Sequence, residues 1–436
     1  MNAARWRTGG RAVRRTTAGW AVLIGGLVSF AIAVSPAAAQ GPGPASSGLQ
    51  TPTSYAITLV TSDTGRHILA EVETGWRLRT VDPVELILGA PLRVVRVLVD
   101  GKPNTRLSRT MYARQDSLIV VPHEKAPGDT LTTRVRYHGI PDGGAVVEAD
   151  PAGRRVLVAQ SAAGAASRWL PVPAGLVPTA APRVSVTWQV QASGDQRVIA
   201  NGVLTGIDTL NYGHTTWHYR LDRPVPLTAL AAAVGRFAVA PAQRSGCRGA
   251  CPPVTVWTSP EDSSAAAGGP LGHAGEILAW LASRLGPFPY PALAHVVTTG
   301  VLGAANGASV VLYQASQLRG GNMTEADVVR GTAGQWLGLA ISDSSASGPV
   351  AATADYLAWL WTRERRPGPN AQMLTRQLDA IRALHQTLGD SSFYRGLRRL
   401  LERHRDTTVP AATFTEAMTE AAGKQVPWSW PAAPTR

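Results

Sequence analysis

Two histidines, His214 and His218, stand four residues apart in "HTTWH". On a helix that spacing puts two imidazoles on one face, where they can share a metal ion. Here the flanking residues alternate like a strand and turn. Four residues of strand reach about 13 Å, too far for one ion. "PHEK" sets His123 beside Glu124 but has no second histidine. His67, His138, His273, His295, His385 and His404 are dispersed and read as surface or satisfied interior residues. "GASVV" and "DSSASG" lack the Gly-x-Ser-x-Gly elbow of a serine nucleophile. The two cysteines, Cys247 and Cys251, predict a disulfide in an oxidising compartment. Two thiolates with no histidine nearby do not complete a zinc shell.

The elements around these residues fall into two classes. From Tyr55 to about Val239, short alternating runs such as "SYAITLVTS", "HILAEVETGW" and "PRVSVTWQVQ" are split by turn residues, which predicts antiparallel β structure, sandwich-like. Beyond Gly246 the period changes to 3.6. Helices are predicted over "GGPLGHAGEILAWLASRLG", 324–341, 350–365, 370–388, 391–405 and 413–422, with strands near 253–258, 294–299 and 309–314. Thr324 is placed as an N-cap, with Asp327 at the third helical position. The class is α+β: a β domain, then a mainly helical one. The expected boundaries are a signal peptide at 1–39, a linker at 40–51, the β domain at 52–241, a cysteine-containing loop at 242–252 and the helical domain at 253–436.

The 436 residues suggest two or three domains, and 44% hydrophobic with 16% charged residues is an ordinary globular balance. Arg5, Arg7, Arg11, Arg14 and Arg15 precede an apolar run, Ala18 to Val34, and an Ala-x-Ala pattern at Ala37 to Ala39. That order predicts export to the periplasm or beyond, with membrane attachment only if the segment is not cleaved. Cleavage lowers the formal charge from +13 to +8. The arginines are scattered and not interleaved with aromatics, so nucleic acid is not expected as a partner.

Five blocks in order resemble the M1 family of zinc aminopeptidases. "SRWLP" at Ser167 to Pro171 is similar to its Arg-x-Trp-Phe-Pro corner, and "RVIANGVL" to its Ser-Asn-Gly turn. "TTWHYRLDRPVPLTALAAAVGRF", "LASRLGPFPYPALAHVV" and "LGDSSFYRGLRRLLERH" resemble its Trp-His strand, the stretch before its active-site strand, and a later helix pair. The resemblance implies a thermolysin-like second domain, ending near "AAGKQVPWSW" without the large C-terminal helical domain of many members. It also implies a zinc held by His-Glu-x-x-His and a later Glu.

Counted from the matching "QWLG" at Gln335 to Gly338, the first His position is Arg330, the Glu position Gly331 and the second His position Gly334. Glycine has no side chain, and arginine stays cationic with no lone pair to offer. The third-ligand position falls on Thr353, or on Ala354 one register later. The next residue, Asp355, lies about 200° around the helix from 353 and is expected to face away. The family's Gly-Ala-Met-Glu-Asn matches Gly303, Ala304, Ala305, Asn306 and Gly307, so Asn306 replaces the Glu that grips a substrate's amino group. The transition-state tyrosine maps near Leu374, and Gln160 matches a glutamine lining the family's pocket. No cofactor is expected, although the resemblance implies zinc. The leading expectation is a non-catalytic, exported protein whose cleft binds a peptide or an envelope protein, the two inner glycines leaving open space where a metal would sit. The alternatives are a divergent metallopeptidase with unrecognised ligands, or a structural envelope protein acting through its β domain.

Overall fold

The computed structural model describes residues 50–61, 66–104, 106, 108–111, 116–209, 213–240, 251–302, 305–345, 347–365 and 375–431. Strand alternation builds the first half. In Ile68–Arg77, Ile68, Ala70 and Val72 turn inward and Leu69, Glu71 and Glu73 outward, the period of two that the sequence carries. Eight strands form one sheet, in the order Val203–Thr209, His214–Pro226, Arg183–Ser193, Thr51–Thr61, Ile68–Arg77, Thr130–Gly139, Leu92–Val99, Lys102–Pro103. Neighbours are antiparallel except for Thr51–Thr61 beside Arg183–Ser193. Two four-stranded sheets complete this half. One runs Arg197–Ala200, Ala231–Gly235, Arg155–Gln160, Ala145–Ala149; the other runs Val172–Pro173, Val84–Leu88, Ser117–Val121, Ser108–Met111. The "SRWLP" corner is bolted into their core. Tyr55 donates to the Pro171 carbonyl at 3.1 Å, Tyr137 donates to the Trp169 carbonyl, and the Trp169 ring stacks on Trp188.

The second half is a five-stranded mixed sheet flanked by helices. Its order is Ala238–Ala240, Val254–Thr258, Leu293–Thr298, Val310–Gln314, Ala305–Gly307, so Ala305–Gly307 is an edge. The described helices are α1 (Ser263–Gly268), α2 (Ala274–Leu285), α3 (Ala315–Arg319), α4 (Glu325–Ala333), α5 (Pro349–Arg365), α6 (Arg376–Arg403) and α7 (Ala411–Ala422). The long helix expected ahead of "PFPYP" opens as a 3-10 turn at Pro270–His273 and continues as α2, with the short α1 before it not foreseen. The two helices expected at 370–388 and 391–405 meet at Gly389 inside α6, where φ 69° and ψ 165° break the helix. No described helix is long and apolar enough to cross a membrane.

Residues 44–436 form one unit, and a buried hydrogen-bond chain joins its two halves. Asn201, wholly buried, donates to the carbonyls of Ala308 at 2.6 Å and Ala229 at 3.1 Å, and accepts from the Ala231 N–H at 2.7 Å. The Gly202 N–H donates to Ser309 Oγ, and the Ser309 N–H donates to Gln335 Oε1, both at 2.7 Å. Gln335 Nε2 returns to the Gly307 carbonyl at 3.1 Å. Gly202 has φ 92°, and a Cβ there would lie 2.0 Å from the Arg220 carbonyl oxygen, so only glycine fits this turn. Around the chain, Val156, Val158 and Ile199 of the β half pack against Val296, Val310 and Leu312 of the mixed sheet.

Asn201→Ala strips buried partners from two carbonyls and an N–H, and should destabilise the protein by about 2–4 kcal/mol in urea unfolding. Gln335→Ala should cost about 1–3 kcal/mol. The double variant should lose clearly less than the two losses added, because both residues hold the turn at 307–309.

Candidate functional site

The capping box predicted at Thr324 is formed. Its hydroxyl accepts from the Asp327 N–H, and Asp327 accepts from the Thr324 N–H at 2.9 Å. The helix ends sooner than the sequence suggested, at Ala333 and not at 341. The reason is tertiary. Gln335 is drawn to 307–309, Trp336 Nε1 donates to the Pro287 carbonyl at 3.0 Å, and the backbone loosens into turns.

Gly331 and Gly334 do not leave open space. A Cβ on Gly331 would lie 2.7 Å from Val311 Cγ1 and 3.0 Å from the Tyr313 hydroxyl. A Cβ on Gly334 would lie 2.7 Å from Asn306 Nδ2. The expectation of a void is therefore corrected: strands Ala305–Gly307 and Val310–Gln314 press onto the helix and fill what its side chains would occupy. Tyr313 is held there by His295, whose Nδ1 lies 2.9 Å from the hydroxyl, the two rings stacked. Burial, with Asp327 nearby, raises the Tyr313 hydroxyl well above its usual value, and burial pushes the His295 imidazole down to about 3.

Arg330 runs along the outside of the helix. Nε donates to Asp355 of α5 at 2.6 Å and Nη1 to Asp327 at 2.9 Å. Partial burial works against its charge, but the two carboxylates outweigh burial and hold the guanidinium above its usual value. Thr353 faces the other way, wholly buried, its hydroxyl donating to the Pro349 carbonyl at 2.7 Å. Asp355 does lie on the opposite face from Thr353, yet it is drawn into the α4–α5 seam because arginine reaches out to it. Trp361 of α5 reinforces this seam by donating to Glu325 at 2.6 Å.

Beside these residues opens a groove of about 390 Å³, lined by Val301, Asn306, Val311, Leu312, Tyr313, Gln314, Gln317, Asp327, Arg330 and Gly331. Of the expected cleft residues, it takes in Asn306. Gly307 is packed under the β half, where a Cβ would lie 2.5 Å from Ala231 Cβ. Ala305 lies in the edge strand, while Gly303, Ala304 and Leu374 lie outside the described residues. Gln160 is buried, with neither side-chain amide atom hydrogen-bonded, and does not line the groove. Tyr313, Gln314 and Gln317 were not singled out from the sequence, and Asp327 only as part of the helix cap. The alternation in "VVLYQ" marks the strand but not which residue meets the helix glycines. A larger hollow, about 510 Å³, opens at the other end of α4, but its charged groups are spent on each other: Arg365 pairs with Glu276 and Glu325, and His273 with Glu276.

His218 of "HTTWH" lies in strand His214–Pro226, its Nε2 2.7 Å from Asp208. Among the described residues, no three His, Cys, Asp or Glu side chains are grouped to hold a metal ion. Cys247 lies outside the described residues, which contain no free cysteine.

No protein-family model matches the sequence, and no curated protein does. Solved structures do. An M1 zinc metallopeptidase from Deinococcus radiodurans superposes with a TM-score of 0.67 at 17% identity, covering 89% of this chain and 96% of that one. A mutant of that enzyme bound to a Tyr-Ser-Ala substrate gives 0.66 at 18% identity, over 86% and 93%, and a mutant with L-tryptophan gives 0.65 at 18%, over 89% and 97%. The chain thus has the multidomain α+β fold of M1 metallopeptidases.

Two outcomes test the packing. Gly→Ala in an open helix raises stability by up to about 1 kcal/mol. Here Gly331→Ala should lower it by about 1–3 kcal/mol in chemical denaturation and Gly334→Ala by less than about 1 kcal/mol, because the Asn306 amide can swing toward the groove, and Asn306→Ala should recover the loss in Gly334→Ala but not in Gly331→Ala. The second concerns pH. With His295 held at about 3 when folded against 6.5 when free, the unfolded chain takes its proton first on acidification. Its stabilisation is complete above about 6.5 and is lost progressively toward 3. Unfolding midpoints measured across that window should fall, and should fall less steeply in His295→Gln.

Proposed function

We propose that this chain is an exported M1-metallopeptidase-like protein that binds extended peptide segments in the groove beside α4 and does not hydrolyse them. The observation that carries this reading is the packing of Asn306, Tyr313 and Val311 onto Gly331 and Gly334, with Arg330 tied to Asp327 and Asp355. These are the positions at which the family resemblance expects the zinc ligands and the base. A cation and two side-chain-free residues do not make a zinc shell, and no described carboxylate and imidazole groups replace it. Without a metal, neither water activation nor carbonyl polarisation is available by the family's route. What remains is an edge strand, able to add an extended peptide by main-chain hydrogen bonds, and the side chains of Asn306, Gln314, Gln317 and Arg330 along it. Export rests on the arginine-rich and apolar N-terminal segment, and a Cys247–Cys251 disulfide fits the compartment it implies.

The related enzyme's substrate supplies the probe. Purified protein should carry far less than one zinc per chain by elemental analysis and leave Tyr-Ser-Ala and aminoacyl-anilides intact. Its tryptophan fluorescence should report saturable binding of Tyr-Ser-Ala, weakened in Asn306→Ala. Stoichiometric zinc with chelator-sensitive cleavage would instead establish a divergent metallopeptidase. Neither cleavage nor binding would leave the groove without this role.

A further inference from the structure

On the outer face of the eight-stranded sheet, strands Ile68–Arg77, Thr130–Gly139 and Leu92–Val99 lie side by side. Their register places Glu73 opposite Arg134, Glu71 opposite Arg136 and Leu69 opposite His138. On the far side, Arg134 faces Leu98, Arg136 faces Arg96 and His138 faces Arg93. Both carboxylates of this grid go to one arginine: Arg134 pairs with Glu73 and lies 3.7 Å from Glu71. Arg93, Arg96 and Arg136 are exposed and have no carboxylate partner among the described residues, and Arg96 and Arg136 are direct cross-strand neighbours. Like charges directly opposite oppose sheet formation, and Glu71, across from Arg136 on its other flank, leans to Arg134 instead. A bulge between Val94 and Arg96 leaves Val95 59% exposed among the arginines. Arg109 joins from the neighbouring sheet, its guanidinium donating to the Val94 carbonyl at 2.8 Å.

We infer that this face docks on an anionic lipid surface. Charge complementarity is the argument. Cross-strand side chains about 5 Å apart present several guanidiniums in one plane, and a fluid layer of singly charged phosphates can rearrange to meet all of them. Val95, raised on the bulge, is placed to enter the headgroup layer. Among the described residues the face carries no Phe, Tyr or Trp on which bases would stack, which disfavours single-stranded nucleic acid. The contact is independent of the groove and of the N-terminal segment.

The test uses the full chain and two kinds of vesicle, phosphatidylcholine alone and phosphatidylcholine with about one-third phosphatidylglycerol. Co-sedimentation should show a preference for the anionic vesicles that weakens as salt rises. The triple variant R93Q/R96Q/R136Q should lose at least roughly tenfold of that preference, and R96Q alone a smaller part. Thermal unfolding of both variants should match or exceed that of the parent, since a like-charge pair has been removed. An equal preference in parent and triple variant would place any lipid binding elsewhere and overturn the inference. Competition by soluble polyphosphate at equal phosphate concentration that strips the protein from vesicles completely would also overturn it, in favour of a soluble polyanion.

Discussion

The turn at residues 307–309 is the point on which the two halves of the molecule agree. It has no side chain larger than serine, so hydrogen bonds carry most of what positions it, with Ala308 packed into the core. Asn201 and Gly202 seize it from the β half, and Gln335 seizes it from the far end of α4. Each of these groups is buried, where an unmade hydrogen bond is costly, so the three segments have one satisfactory arrangement and few near alternatives. The edge strand, the groove beside it and the end of the helix inherit their places from that arrangement. It also separates two roles that a motif reading merges. Gln335 and Trp336 sit next to the metal-binding positions in the family pattern, yet here their side chains hold the scaffold.

The contact between helix and sheet is close because the chain is bare at Gly331 within α4 and at Gly334 just past its end. Glycines at 331 and 334 let Val311 and Asn306 approach closer than a β-carbon would tolerate, and Tyr313 to a distance tight for one. A helix so weakened by composition is held by its surroundings: the Thr324 cap at one end, the arginine bridge to α5 along one side, and the sheet beneath.

Much of this was legible in the sequence and some was not, for physical reasons. The strands of the β half follow from side-chain alternation, and the cap at Thr324 from two residues three apart, because both are local rules. The blocks of family resemblance led to the right fold at an identity of 17–18%. The end of α4 was misjudged because it is set by partners of Gln335 and Trp336 that are distant in sequence. The state of the glycines was misjudged because absent side chains say nothing about what moves in. The Asp355 contact was missed because helical angle describes where a side chain starts, whereas arginine spans several bonds beyond that point. Gln160, matched to a pocket glutamine, is sealed into the β half with its amide unmatched, and we have no physical account of that.

The parallel pairing of the first strand with Arg183–Ser193 sets an order on chain assembly. Ser54 meets Ser185, so the first strand can close a hairpin with Ile68–Arg77 early, but its opposite edge stays unpaired until the chain beyond residue 190 has been made. Such long-range pairing is slow to form, since loop closure must precede its reward. A chain that delays completion of its central sheet carries an open strand edge for that interval, able to pair with another chain.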